Sequence, residues 1–397
     1  MNKKKITAVL LAAVLCFSCA AAGEKQNIKS GKQDKIINIL CYHRFKKRNI
    51  TDEKKKKWGD IYYISPKMLE KHIKYIRKNN TIISMNRYLR FLDGKADIPG
   101  RSVLITIDDG YRSIYTRAFP VLKRLNVPFT VYYYQYFLPG GANALNRSMI
   151  KEMMRAGAEA GCHSNTHPIL TSRWKNRHSK NKRKMGDEEY IEFLKDEIIS
   201  SKKYLEEYIG VPMATFAYPY GTYSDEVVHF IKKAGYKAAF SVVASCNTQK
   251  TNRYRLKRTM IYNSTDVEKL KEILSKKPLE VESICPGDGD ILEDKTPKIT
   301  AVLSGDSKIN TATVRLMMGR VGLTGSEYNP ITKKVTYAYE KELPGGTHIA
   351  RVKAEGVNGG DFEYAWLFIT GKPTKMTLLK GEGNNIAKEV KERAKNK

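Results

Sequence analysis

Ser102-Val103-Leu104-Ile105-Thr106-Ile107-Asp108-Asp109-Gly110 is an apolar run that stops at two adjacent carboxylates and a glycine. It reads as a strand ending in a turn, and in β/α folds the end of a strand is where sites lie. Neighbouring carboxylates leave the chain in different directions, so one can bind a metal while the other handles a proton. Asp-Asp-Gly is also ordinary turn chemistry, so the motif alone leaves both readings open.

Outward from it, short apolar runs at 35–41, 102–107, 128–134, 214–218 and 236–242 alternate with amphipathic helical stretches. That alternation predicts a β/α fold on a parallel sheet, closed as a barrel or left open. One helix start is explicit: Ser65 precedes Pro66, with Leu69, Ile73 and Ile76 along one face, so the serine caps and the proline takes the first helical position. Further helices are expected near 113–125, 147–158, 188–209 and 224–234. Beyond Pro286 the texture changes to short alternating segments between Gly, Pro and Asp turns, at 298–303, 311–317, 335–339, 348–354 and 362–370. These predict a small antiparallel sandwich. Its Leu343-Pro344-Gly345-Gly346-Thr347-His348 turn and Trp366-Leu367-Phe368 strand resemble bacterial immunoglobulin-like domains. The expected order is an α/β domain over 35–277, an all-β sandwich over 284–371 and a basic tail over 372–397.

Three more segments carry chemistry. His163-Ser164-Asn165-Thr166-His167 follows a glycine break at Gly161, and its four-residue spacing lets both rings face one metal across a single helical turn. With Asp109 they would form a two-histidine, one-carboxylate site with positions open for water and substrate. Phe216-Ala217-Tyr218-Pro219-Tyr220-Gly221 again ends a strand, and its rigid loop can aim backbone amides at a developing negative charge. Tyr218, Tyr220 and Tyr223 can stack on sugar rings or can pack in the core. Ile39-Leu40-Cys41-Tyr42-His43 is a strand ending in a histidine. Of seven histidines, His72 and His229 fall in amphipathic helices, His178 in a basic insertion and His348 in the sandwich, which leaves His43, His163 and His167 at strand ends.

The N-terminus reads as an export signal over 1–22: Lys3, Lys4 and Lys5, then an apolar run from Ile6 to Phe17 too short to span a bilayer, then small residues. Ala20-Ala21-Ala22 suits ordinary cleavage, and Ser18-Cys19 suits lipid attachment at Cys19. The chain is thus expected to be exported, whether periplasmic, cell-surface or secreted, with peripheral or lipid-anchored membrane association as the alternative. Cys41, Cys162, Cys246 and Cys285 are scattered, as buried apolar side chains would be, and match neither a disulfide framework nor a zinc finger. A formal net charge of +30 would ordinarily point to nucleic acid. Export and the even spread of lysine argue against that and favour an anionic envelope surface or polymer.

Together the four strand-end segments resemble the polysaccharide deacetylases of carbohydrate esterase family four, the NodB-homology fold, over roughly 35–277. The resemblance implies a distorted parallel (β/α) barrel. It implies Asp108 as catalytic base and Asp109, His163 and His167 as ligands of one divalent metal, zinc by ligand type, with cobalt, nickel or iron as alternatives. The backbone of Tyr220 would supply the oxyanion amide, with Tyr218, Pro219 and Tyr223 against substrate. Most members place their acid histidine late in the domain. Here Tyr42-His43 precedes the other motifs, as in the subgroup that deacetylates poly-β-1,6-N-acetylglucosamine, and this makes His43 the catalytic acid. The chain departs from the pattern in three ways: no arginine precedes the proline loop, for which Arg258 is the candidate substitute; a basic insertion runs from Arg173 to Lys184; and no glycosidase domain follows.

The expected reaction is hydrolysis of an acetamide, with Asp108 taking a proton from water and His43 giving one to the departing amine. The expected partner is an N-acetylated polysaccharide and the expected state a monomer. Peptidoglycan or chitin-like oligomers are alternative substrates, and a non-catalytic envelope carbohydrate-binding protein is the rival from another class.

Overall fold

Every apolar run of the first domain forms a strand, within two residues of the expected bounds. The computed structural model describes residues 35–47, 58–138, 140–175, 183–305, 308–319, 321–322 and 325–372. The export signal with Cys19, the tail beyond Lys372, His178 and the middle of the basic insertion lie outside the described residues.

The strands are β1 (Ile36–Tyr42), β2 (Arg101–Ile107), β3 (Thr130–Tyr133), β4 (Glu159–Cys162), β5 (Thr215–Ala217), β6 (Ala238–Phe240) and β7 (Thr259–Met260). They pair in the order β6-β5-β4-β3-β2-β1-β7, with the short strand Thr81–Ile82 also on β2, and every pairing is parallel. Leu256 bridges to Phe240, while Thr259 and Met260 pair with Leu40 and Cys41. The sheet therefore curls until one segment meets both of its ends, and the C-terminal ends of the strands share one rim.

Helices α1 (Pro66–Asn79), α2 (Met85–Leu92), α3 (Phe119–Arg124), α4 (Arg147–Arg155), α5 (Asp187–Lys195), α6 (Ser201–Ile209), α7 (Asp225–Lys233) and α8 (Val267–Ser275) run between the strands or follow them. α1 is capped as expected, Ser65 Oγ accepting from Met68 N at 3.1 Å. It buries Leu69, His72, Ile73 and Ile76. His72 is a core residue: Tyr42 Oη and the Thr265 carbonyl lie 3.1 and 3.0 Å from its two ring nitrogens, and burial pushes its pKa down to about 4. The single helix expected over 188–209 is α5 and α6 joined through a π-turn, Asp196–Ser200. The four cysteines outside the signal region are free, and Cys41, Cys162 and Cys246 are buried as expected. Cys285 is not, because it lies on an exposed position of a sheet-edge strand. No described helix is long and apolar enough to cross a membrane.

The C-terminal strands are β8 (Lys277–Pro278), β9 (Val281–Cys285), β10 (Ile291–Leu292), β11 (Lys298–Leu303), β12 (Ile309–Met318), β13 (Val321–Gly322), β14 (Glu327–Asn329), β15 (Lys334–Ala338), β16 (Gly346–Gly356) and β17 (Asp361–Thr370). They form two sheets, β8-β17-β16-β12-β13 with β10 beside β17, and β9-β11-β15-β14. Side chains alternate faces along a strand. On β17, Trp366 and Phe368 accordingly enter the core between these sheets, while Ala365, Leu367 and Ile369 enter the core of the first domain. Burial on both faces explains the uninterrupted apolar run at 365–369, and it makes the all-β unit a packed neighbour of the barrel.

Candidate active site

Parallel register brings the strand-end motifs together. Tyr42 pairs with Ile107, so His43 and Asp108 follow side by side; Tyr133 and Phe216 both pair with Cys162, which brings Tyr134 and the Tyr218 loop to either side of His163. Four of the six non-glycine residues with positive φ among the described residues lie here: Asp109 (78°), Ser164 (76°), His167 (60°) and Tyr220 (56°). Left-handed backbone is costly for such residues and collects where function holds it in place. Gly110 shares that conformation (φ 81°), and a Cβ on it would stand 3.1 Å from the Tyr133 ring.

Asp109, His163 and His167 converge. His163 Nε2 lies 3.1 Å from His167 Nε2 and 3.7 Å from Asp109 Oδ1, and His167 Nε2 lies 3.6 Å from the same oxygen. Ligand atoms about 2.1 Å from a tetrahedral zinc stand about 3.4 Å apart, so the trio has the span of three ligands around one ion. His163 Nδ1 donates to the Ala217 carbonyl at 2.7 Å, which leaves the Nε2 lone pair facing the centre. Burial pushes His163 down to about 3 and His167 below its usual value, so both rings are neutral and able to coordinate. The pair does not sit on a helical turn, as its spacing had predicted. It spans a loop turned by left-handed Ser164 and His167, with Ser164 Oγ accepting from His167 N at 3.0 Å. Nor is Gly161 a break: it lies inside β4, where a Cβ would collide with the Tyr132 ring and Thr215.

Asp108 is 1% exposed, and both of its oxygens meet Arg258, Nη1 to Oδ1 and Nη2 to Oδ2, each at 2.7 Å. Burial alone would raise this carboxyl, but the Arg258 guanidinium outweighs it and holds Asp108 well below the usual carboxylate range. Arg258 is fully buried and fixed in turn by the Ser241 carbonyl at 2.9 Å and Thr106 Oγ1 at 3.3 Å. The arginine that orients the Asp is therefore supplied by the segment that closes the sheet. The Cys41 thiol, pushed up by burial and so protonated, donates to Asp108 Oδ2 at 3.3 Å. His43 is half-buried, its ring 5.2 Å from that of Tyr62, and His163 Nε2 lies 3.8 Å from Asp108 Oδ2.

A match to the polysaccharide deacetylase family spans residues 95–239. A poly-beta-1,6-N-acetyl-D-glucosamine N-deacetylase of Staphylococcus aureus is 30% identical over 233 residues, 56% of this chain and 77% of that protein. The chain belongs to the polysaccharide deacetylase family. The family's N-deacetylating members are hydrolases, and the solved deacetylase structures share the barrel. A de-N-acetylase from Aggregatibacter actinomycetemcomitans (TM-score 0.53, 21% identity) covers 60% of this chain and 100% of its own. A Streptococcus pyogenes deacetylase in complex with acetate (TM-score 0.51, 20% identity) covers 61% of this chain and 99% of its own.

Within this deacetylase fold the other expected residues separate. Tyr220 is 58% exposed, its ring 4.9 Å from that of His167. Tyr218 and Tyr223 are fully buried and Pro219 is buried, so the two tyrosines do not stack on a sugar. Their hydroxyls serve the interior, Tyr218 donating to the Tyr254 carbonyl at 2.8 Å and Tyr223 to Asp288 at 2.6 Å. The aromatics that do line this rim are Tyr220 and Tyr134, whose rings lie 4.9 and 5.2 Å from that of His167, and Tyr62 beside His43. Glu197 is absent from the sequence reading, yet its buried carboxylate shapes the histidine loop. It accepts from the backbone of Asn165 and Thr166 at 2.9 Å each and from Thr166 Oγ1 at 2.6 Å. It sits on the π-turn between α5 and α6, a distortion that helices reserve for such tasks. The basic insertion is neutralised in part by α5: Arg173 pairs with Asp187, and Lys175 and Arg183 pair with Glu189. His229 is exposed on α7 and belongs to neither of the two clusters of metal-capable side chains found among the described residues, Asp109 with His163 and His167, and Cys41 with His43 and Asp108.

Proposed function

We propose that this chain hydrolyses N-acetyl groups on a poly-β-1,6-N-acetylglucosamine-like polymer at the cell envelope, using one divalent metal. The observation that carries this is the trio Asp109, His163 and His167 beside an Asp108 locked by Arg258. The trio would hold the ion, zinc by its nitrogen and oxygen donors, with cobalt, nickel or iron as alternatives. A bound divalent ion supplies Lewis acidity toward the acetyl carbonyl and acidifies a water.

The residues divide the remaining work. Asp108, kept ionised by Arg258, takes the proton from the attacking water. The Tyr220 amide faces the oxyanion as it forms. His43, next to Asp108 through the β1–β2 register, delivers a proton to the departing amine. The products are acetate and a free amino sugar.

The named activity of the staphylococcal relatives supports the choice of polymer, and the export signal supports the envelope. Lipid attachment at Cys19 would anchor the chain there as a monomer. The two-sheet unit is taken as an immunoglobulin-like sandwich. A purely carbohydrate-binding protein has no use for a buried carboxylate–guanidinium pair beside metal ligands, because such a pair is expensive to desolvate. The test is acetate release from purified poly-β-1,6-N-acetylglucosamine, peptidoglycan and chitin oligomers. The first should be the best substrate. Release confined to peptidoglycan or chitin oligomers overturns the polymer assignment, and release from none overturns the activity.

A further inference from the structure

Asp288 lies in the turn between β9 and β10 of the all-β unit, but most of its contacts are in the barrel. Oδ1 accepts from Tyr223 Oη at 2.6 Å and from the Leu367 amide at 3.1 Å, Oδ2 accepts from Lys257 Nζ at 3.0 Å, and its carbonyl accepts from Arg255. Tyr223 is fully buried, and Lys257 is 4% exposed. The fit is close: Gly289 has φ 92°, and a Cβ on it would stand 3.3 Å from the Tyr223 ring.

Two of these partners adjoin catalytic segments. Lys257 immediately precedes Arg258, and Tyr223 follows Tyr220 by three residues. One carboxylate therefore ties the arginine segment and the oxyanion loop to each other and to β17. A buried ammonium is unfavourable unless it is paired with a counter-charge, and Lys257 Nζ, which also donates to Tyr223 Oη at 3.3 Å, has that charge in Asp288, so the arrangement depends on Asp288. Another ion cluster on the all-β unit, Glu363 with Lys276 and Arg351, pairs with neither segment.

We propose that Asp288 is a positioning residue for the deacetylation reaction, through which the all-β unit holds Arg258 and the Tyr220 loop in register. The proposal rests on the roles given above to Asp108, Arg258 and Tyr220. Catalytic geometry is sensitive to small displacements, so in the full chain Asp288→Asn should lower kcat about tenfold or more, with KM and metal content unchanged. That variant also strands a buried ammonium and will melt lower. Asp288→Asn/Lys257→Met removes the stranded charge, and it should regain stability while kcat stays low. Glu363→Gln should lose stability and keep kcat. Amide hydrogen exchange over 218–223 and 256–260 reads the tie without turnover, and should be faster in the double variant than in wild type. Recovery of kcat together with stability, or unchanged exchange in both segments, overturns the proposal. A wild type that exchanges as expected but releases no acetate sinks the deacetylase reading and leaves the tie standing.

Discussion

Asp108→Asn is expected to release acetate about 10²–10⁴-fold more slowly than wild type, the usual worth of a positioned general base, while keeping its metal. An asparagine cannot accept a proton from water at neutral pH, yet it preserves the shape of the side chain. Metal should stay because the convergent trio lies on Asp109 and the two histidines. The variant has a second, separable consequence. Arg258 is fully buried and would lose its counter-charge, which is destabilising by about 3–5 kcal/mol. Rates are therefore compared well below the melting transition, with metal content measured on the same sample. Near-normal turnover in a folded, metal-loaded Asp108→Asn protein would mean that another group takes the proton.

His43→Ala should cut acetate release from acetamides by about 10²–10⁴-fold and slow an activated acetate ester far less. An amine departs poorly unless it is protonated, whereas an activated alcohol leaves without help. Only histidine titrates unaided near neutral pH. Among the described histidines His43, His163 and His167 meet the rim, and the last two have their Nε2 atoms turned to each other and to Asp109. Equal wild-type rates on both substrates for His43→Ala, with His229→Ala impaired, would move the acid to α7.

The strands and the convergence of Asp109, His163 and His167 were legible because each depends on short-range pattern: an apolar run, then a chemically distinctive residue where it stops. What escaped depends on distant partners. α2 is only eight residues long, and although Ser84 caps it locally, its Oγ accepting from Arg87 N at 3.2 Å, its first two amides are met by the Glu159 carboxylate of β4 at 2.7 Å each. Glu197 looked like one more acid on a helix, since nothing local marks a π-turn. Arg258 could be nominated but not placed, because its partner lies 150 residues earlier and only closure of the sheet joins them. Tyr218 and Tyr223 misled because an aromatic beside a site motif looks the same in sequence whether it faces sugar or core.

The central claim is tested most directly by stripping the ion with a chelator and titrating it back while acetate release is followed. The stripped protein should be inactive and one equivalent of zinc, or of cobalt, nickel or iron, should restore it. His163→Ala and His167→Ala should neither retain an equivalent nor respond to added metal. A stripped wild type that releases acetate at full rate, or histidine variants that still bind one equivalent, would contradict the account.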